Sequence, residues 1–330
     1  MTDLIHEKTT PEDRETVNLR PQKLKEFVGQ EHLKELLSLA IESAKITGNA
    51  LDHVLLSGSP GLGKTTLSTI IANELGLNIY VTSAPIIEKP ADLADLLITL
   101  EPRDILFIDE IHGLPKMVEE VLYSAMEDYQ LDVSIGRGKK SSAFRLDLPP
   151  FTLIGATTLA GLLAAPLRNR FGLQLDMEFY TQDELSLIVQ RSAKLFGLEI
   201  DKEASGMLAQ RSRGTARLVN RLLKRVRDLA VVNHTTKVTV EYVQKIMDIL
   251  RIDNHGMDSL DRKILRVLDE VYDGKPVGVK TMAASLSVAS ETIAEVHEPY
   301  LLSKGFLART SRGRTITEKG RKYLAEVTLL

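Results

Sequence analysis

The chain contains no cysteine, which rules out a disulfide frame and a thiolate zinc site. It has no run of eighteen apolar residues, so a membrane span is not expected. The first eighteen residues mix acidic and basic side chains and lack the apolar stretch of a secretory signal. A cytoplasmic location is the expectation that fits these absences. Internal repeats and low-complexity tracts are absent too. The formal net charge is only −3, which argues against a passive nucleic-acid coat, so any DNA contact must come from a local basic patch.

What is present is enough for two or three domains. The 330 residues are 43% apolar and 26% charged, the balance of a globular chain with a real core. Residues 1–18 read as a flexible arm. Helical spacing runs over 34–47 and stops at Gly48-Asn49. A short apolar strand at 53–57 leads into a glycine loop, and a helix over 65–75 follows, closed by Gly76. Further buried strands are expected at 105–108 and 151–155. Apolar strands alternating with helices predict an α/β domain with a parallel sheet covered on both faces. Residues 181–250 read as all-helical, with Thr181 and Glu184 forming a capping box. After about residue 258, helices near 259–271, 279–286 and 290–303 precede a hairpin turning at Ser311-Arg312-Gly313-Arg314, the order of a winged helix. The expected domains are 19–180, 181–255 and 256–330.

Gly58-Ser59-Pro60-Gly61-Leu62-Gly63-Lys64-Thr65 matches the phosphate-loop pattern, after a strand and before a helix. Glycines let backbone N–H groups turn toward phosphate, and the helix N-terminus favours an anion. Lys64 suits the β- and γ-phosphates, and the Thr65 hydroxyl suits Mg²⁺. Asp109 and Glu110 follow the second strand. Asp109 suits a magnesium role through water, and Glu110 suits polarising the attacking water, which makes hydrolysis the expected outcome. Thr157 and Thr158 follow the third strand, where a hydroxyl either senses the γ-phosphate or holds the water, or merely caps the strand. Arg168 and Arg170 suit a neighbouring subunit's pocket, and Arg217 its own subunit's nucleotide, although plain solvation is the commoner fate of an arginine. Between residues 304 and 322 stand Lys304, Arg309, Arg312, Arg314, Lys319, Arg321 and Lys322, against only Glu318.

On "LRPQKLKEFVGQ" (19–30), "GSPGLGKTTL" (58–67), "LFIDEIH" (106–112), "AMEDYQLD" (125–132), "RLDLPPFTLIGATT" (145–158), "PLRNRFG" (166–172), "RGTARLVNRLLKRVRD" (213–228) and "GFLARTSRGR" (305–314), the chain resembles AAA+ ATPases. Within that class it is similar to the bacterial motors of Holliday-junction branch migration, over nearly its whole length. The resemblance implies ATP with Mg²⁺, a helical lid and a C-terminal winged helix. It implies that Leu19 and Arg20 border the adenine and that Tyr180 packs on the base. Gly61, Gly63, Lys64, Thr65 and Thr66 would hold phosphates and magnesium. Thr158 would be the first sensor, Arg217 the second, and Arg170 the finger offered to the next subunit, with Glu127, Asp128 and Tyr129 near the nucleotide. Arg309 and Arg314 would touch DNA phosphates, with Arg312 beside them, and a hairpin over 131–148 would receive a RuvA-type junction-binding protein. Further implied partners are four-way junction and duplex DNA, a RuvC-type resolvase and copies of the chain in a hexameric ring.

The chain departs from that family's usual residues at Ser59, Gly113, Leu159, Asn169 and Ala216, and its hairpin tip, Gly136-Arg137-Gly138-Lys139-Lys140, is more basic. The hydrolytic set is intact. The alternative reading is a nucleotide-switched AAA+ replication initiator or loader, which joins the same core to a winged helix and which fold analogy alone cannot separate. A protein-remodelling ATPase would require an aromatic pore loop, and no persuasive equivalent stands in the sequence.

Overall fold

The structure is a computed structural model that describes residues 19–135 and 142–328. The expected arm at 1–18 and hairpin tip at 136–140 lie outside those residues. The chain divides into two compact units, one ending at Phe179 and one beginning at Tyr180.

In the first unit, helix α1 (Glu31–Thr47) turns its apolar stripe of Leu33, Leu37, Ile41 and Ala44 inward and ends on Gly48. Strand β1 (Val54–Ser57) follows, then α2 (Lys64–Leu75), β2 (Ile79–Ser83), α3 (Pro90–Ile98), β3 (Ile105–Asp109), α4 (Lys116–Glu127), β4 (Gln130–Ile135), β5 (Ser142–Asp147), β6 (Thr152–Thr157), α5 (Ala165–Arg168) and β7 (Leu173–Asp176). Five strands form one parallel sheet in the order β2-β3-β6-β1-β7. Its inner strands are buried, apart from the half-buried Asp109 at the end of β3, because helices leave them no solvent face. Edge strands β2 and β7 are half exposed, and their mixed residues hide them from an apolar-run reading. Leu93 and Leu97 of α3, Val118 and Leu122 of α4, Leu106 and Ile108 of β3 and Phe151 share one buried cluster. Each such aliphatic side chain contributes about 2 kcal/mol from burial. β4 and β5 form a separate antiparallel ribbon in which Gln130 stands opposite Asp147.

The second unit begins with α6 (Gln182–Leu195). Thr181 caps it: its Oγ1 accepts from Glu184 N, and Glu184 Oε2 accepts from Thr181 N at 2.7 Å. Then come β8 (Glu199–Ile200), α7 (Lys202–Gln210), α8 (Ala216–Val232), β9 (Lys237–Val238) and α9 (Val240–Leu250). The chain continues through α10 (Ser259–Arg266), which a wider helical turn extends to Val271. α11 (Val279–Leu286), α12 (Glu298–Ser303), the hairpin β10 (Leu307–Thr310) and β11 (Gly313–Ile316), and α13 (Glu318–Thr328) complete it. Ile264, Leu265, Leu268, Met282, Ile293, Leu301 and Phe306 form the core of this C-terminal part. Among the described residues no helix is long and apolar enough to cross a membrane.

Candidate nucleotide site

The parallel register brings the C-terminal ends of β1, β3 and β6 to one edge of the sheet, the usual place for a ligand in such folds. At the end of β1 the chain turns through Gly58, with φ of 139°. A Cβ there would stand 2.7 Å from the Met177 carbonyl oxygen, so only glycine fits. Gly63, with φ of 108°, starts α2 and exposes the first amides of that helix. Lys64 is 7% exposed and folds over the loop, its Nζ donating to Gly58 O at 2.7 Å and Ser59 O at 3.2 Å. Gly61, Thr65 and Thr66 stand at the same turn, partly exposed. A glycine-built cradle, a helix N-terminus and a retained lysine are a donor set that fits a triphosphate.

Asp109 closes β3, its Oδ1 accepting from Glu110 N at 3.0 Å. Glu110 takes a left-handed backbone, with φ of 49°. Its Oε2 accepts from Thr158 Oγ1 at 3.2 Å. Thr158 therefore lies against the carboxylate expected to act on water. Thr65 and Asp109 supply the hydroxyl and carboxylate that suit a hard cation. His112, which the sequence reading passes over, is the third member of this group: Nδ1 lies 3.3 Å from Glu110 Oε2 and 2.9 Å from Thr157 Oγ1. The signal was its place two residues after Glu110, in a tight turn that folds it back.

Arg170 is held on its own chain. Nη2 donates to Glu127 Oε2 at 2.5 Å, Nη1 donates to Pro166 O at 2.9 Å, and the guanidinium lies 5.0 Å from the Tyr123 ring centre. Arg168 and Asp128 are exposed. Tyr129 is a packing residue, its ring edge-on to Phe151 at 5.9 Å. Leu19 is buried and Arg20 half-buried, and the segment after them is tied to the end of α2 by Leu24 N donating to Glu74 Oε1 at 3.1 Å. His53, at the start of β1, is buried with Nδ1 accepting from Leu153 N and Nε2 facing Met126 O. Burial holds its pKa below the ordinary histidine value, and the Met126 carbonyl opposes that shift.

The other expected residues belong to the second unit. Tyr180 is buried, which pushes its hydroxyl well above the ordinary tyrosine range, and its N donates to Gly214 O at 2.9 Å. Arg217 stands exposed in the first turn of α8, which Thr215 caps. Arg213, just before it, reaches into the C-terminal part. Its Nε donates to Gly256 O at 2.8 Å, and Nη2 pairs with Asp258 at 2.9 Å and Asp261 at 2.5 Å. Burial pushes the Asp258 carboxyl up, but Arg213 and its amide partner bring it below the usual range. In the wing, Arg309 faces Arg314 across the hairpin, and both pair with the buried carboxylate of Glu298. Arg314 is thus largely enclosed, whereas Arg309 and Arg312 are exposed. Arg321 and Lys322 also have acidic partners, Asp269 and Glu318. The basic patch is less bare than its residue count suggests.

Three family profiles match the chain in succession: the Holliday junction DNA helicase RuvB P-loop domain over residues 19–177, the RuvB AAA lid domain over 180–253 and the RuvB C-terminal winged helix domain over 254–325. Among curated relatives, the Holliday junction branch migration complex subunit RuvB of Kosmotoga olearia is 58% identical, across 95% of this chain and 92% of the relative. Its namesake in Thermotoga maritima is 53% identical, across 98% and 97%. The solved structure of the Thermotoga maritima RuvB Holliday junction branch migration motor superposes with a TM-score of 0.86 at 53% identity, covering 93% of this chain and 98% of that one.

Proposed function

The chain belongs to the RuvB family, and from that premise we propose how its residues divide the work of an ATP-driven motor for branch migration at Holliday junctions. The observation that carries the reading is the meeting of the glycine cradle and Lys64 with Glu110 and Thr158 at one sheet edge, in a chain that matches all three RuvB domain profiles. The division into domains at 19–180, 181–255 and 256–330 follows the same likeness.

The amides of the loop, Lys64 and Thr66 bind the phosphates of ATP. Thr65 and, through water, Asp109 would hold Mg²⁺, which would supply positive charge to the phosphates. Glu110 orients a water and takes up its proton as the new bond to the γ-phosphorus forms and the bond to the β-phosphate oxygen breaks. Thr158 reads the γ-phosphate and touches Glu110. Leu19, Arg20 and Tyr180 are assigned to the base, Arg217 to the phosphates, and Glu127, Asp128 and Tyr129 to the surroundings of the nucleotide. Arg170 is assigned to a neighbouring copy's site in a hexameric ring, which makes turnover depend on assembly. Arg309, Arg312 and Arg314 are assigned to DNA, mostly to phosphates, because a motor must travel over any sequence. The β4–β5 ribbon is assigned to a RuvA-type protein, and a RuvC-type resolvase is the expected later partner. The test is ATP turnover and junction migration with four-way junction DNA and a RuvA-type protein. Glu110→Gln should bind ATP and fail to turn it over, and rapid turnover by that variant would remove Glu110 from its role.

A further inference from the structure

The imidazole of His112 is fixed between the acidic turn and the end of β6. Its Nδ1 meets both, lying 2.9 Å from Thr157 Oγ1 and 3.3 Å from Glu110 Oε2. Thr157 is fully buried, and its Oγ1 also accepts from Leu159 N at 3.0 Å, so the hydroxyl that holds Nδ1 is itself fixed. The ring is only 16% exposed, whereas the glutamate it faces is 42% exposed. A half-exposed carboxylate on a flexible stem has several rotamers open to it. Here three features narrow the choice. The left-handed backbone at Glu110 sets the direction of its Cα–Cβ bond, Thr158 Oγ1 donates to Oε2, and the imidazole Nδ1 lies beside the same oxygen. A proton on Nδ1 has two oxygens within reach, the Thr157 hydroxyl at 2.9 Å and the Glu110 carboxylate at 3.3 Å, so this one nitrogen links the carboxylate to the end of β6.

We propose that His112 is a positioning residue for hydrolysis: braced by Thr157, it holds the Glu110 carboxylate beside Thr158 in the orientation from which water is activated. This rests on Glu110 being the residue that acts on water. Removing the ring frees the carboxylate to rotate, and a misplacement of that kind lowers the rate of the chemical step while leaving the phosphate cradle untouched.

The test compares ATP turnover, ATP and ADP affinity and melting temperature for wild type, His112→Ala, His112→Asn, Glu110→Gln and the double variant Glu110→Gln/His112→Ala. Asn can place an N–H close to where Nδ1 stands. The expected result is a fall in kcat of roughly tenfold in His112→Ala, with nucleotide affinity and melting temperature unchanged and most of the rate restored in His112→Asn. Whatever residual turnover is left in Glu110→Gln should be no lower in the double variant. Normal kcat in His112→Ala would overturn the proposal. So would a kcat loss matched by lost affinity or lower melting temperature, or a further tenfold loss in the double variant. If Glu110→Gln itself turns over at the wild-type rate, the underlying assignment of Glu110 is what has failed.

Discussion

Glu298 holds Arg314 at two points at the base of the wing, with Oε2 2.9 Å from Nη2 and 3.1 Å from Nε. Arg309 stands directly opposite Arg314 across the hairpin, and like charges so placed repel. The carboxylate is 2% exposed and is the counter-charge that lets the two arginines share one face.

Glu298→Ala should therefore destabilise the protein by about 3 kcal/mol, because it strands a largely enclosed guanidinium. Thermal or urea unfolding measures this. Arg312→Ala should leave stability unchanged and lower the slope of log affinity against log salt for duplex DNA by about one. Equal stability loss in both variants would erase the distinction drawn between an enclosed and an exposed arginine.

Arg170 has Glu127 and Tyr123 as neighbours on its own chain. If it nevertheless serves another copy's nucleotide, Arg170→Ala should lose on the order of 10³ in turnover with ATP binding kept. Mixing Arg170→Ala with Lys64→Ala subunits should then restore part of the activity, since the second supplies the arginine and the first an intact site. Mixtures as inactive as either parent would place the action of Arg170 within its own chain.

His53 makes stability depend on pH in a stated direction. Its ring accepts from Leu153 N at one nitrogen and donates to Met126 O at the other, so the native form is neutral. Its native pKa lies below 6.5, so the unfolded chain takes up a proton first as pH falls. The stabilisation is full above about pH 6.5 and is lost as pH drops through the depressed native value. His53→Gln keeps a donor and an acceptor but cannot titrate. Its melting temperature should vary less between about pH 7 and about pH 5 than that of wild type, and an unchanged slope would exclude His53 as the source.

Arg213 ties the loop before α8 to the start of α10 through Asp258, Asp261 and Gly256. Asp261 is fully buried, so Arg213→Ala should lower stability by about 3 kcal/mol. Assayed well below its melting temperature, the variant should still hydrolyse ATP and bind DNA but migrate junctions poorly. Migration at the wild-type rate would show that this joint transmits nothing.

The nucleotide loop was legible because its meaning lies in spacing: glycines, lysine and threonine within eight consecutive residues, a strand before and a helix after. The central strands were legible because burial on both sides writes them as apolar runs. The edge strands β2 and β7 were not, since one open flank admits polar residues. Partners distant along the chain were not legible either. Nothing local ties His112 to Thr157, Glu127 to Arg170 or Glu298 to Arg314, and only the fold brings them together. For the same reason a count of basic residues overstated the open charge of the wing.

The neighbouring placement of β3, β6 and β1 makes the sheet a gauge block for the chemistry. Adjacent strands stand about 4.8 Å apart, and each residue advances about 3.3 Å along a strand. Slipping β6 by one residue would carry Thr157 and Thr158 out of reach of His112 and Glu110 and turn them to the opposite face. The spacing of these side chains is thus set by a hydrogen-bond ladder that can lose register only by coming apart.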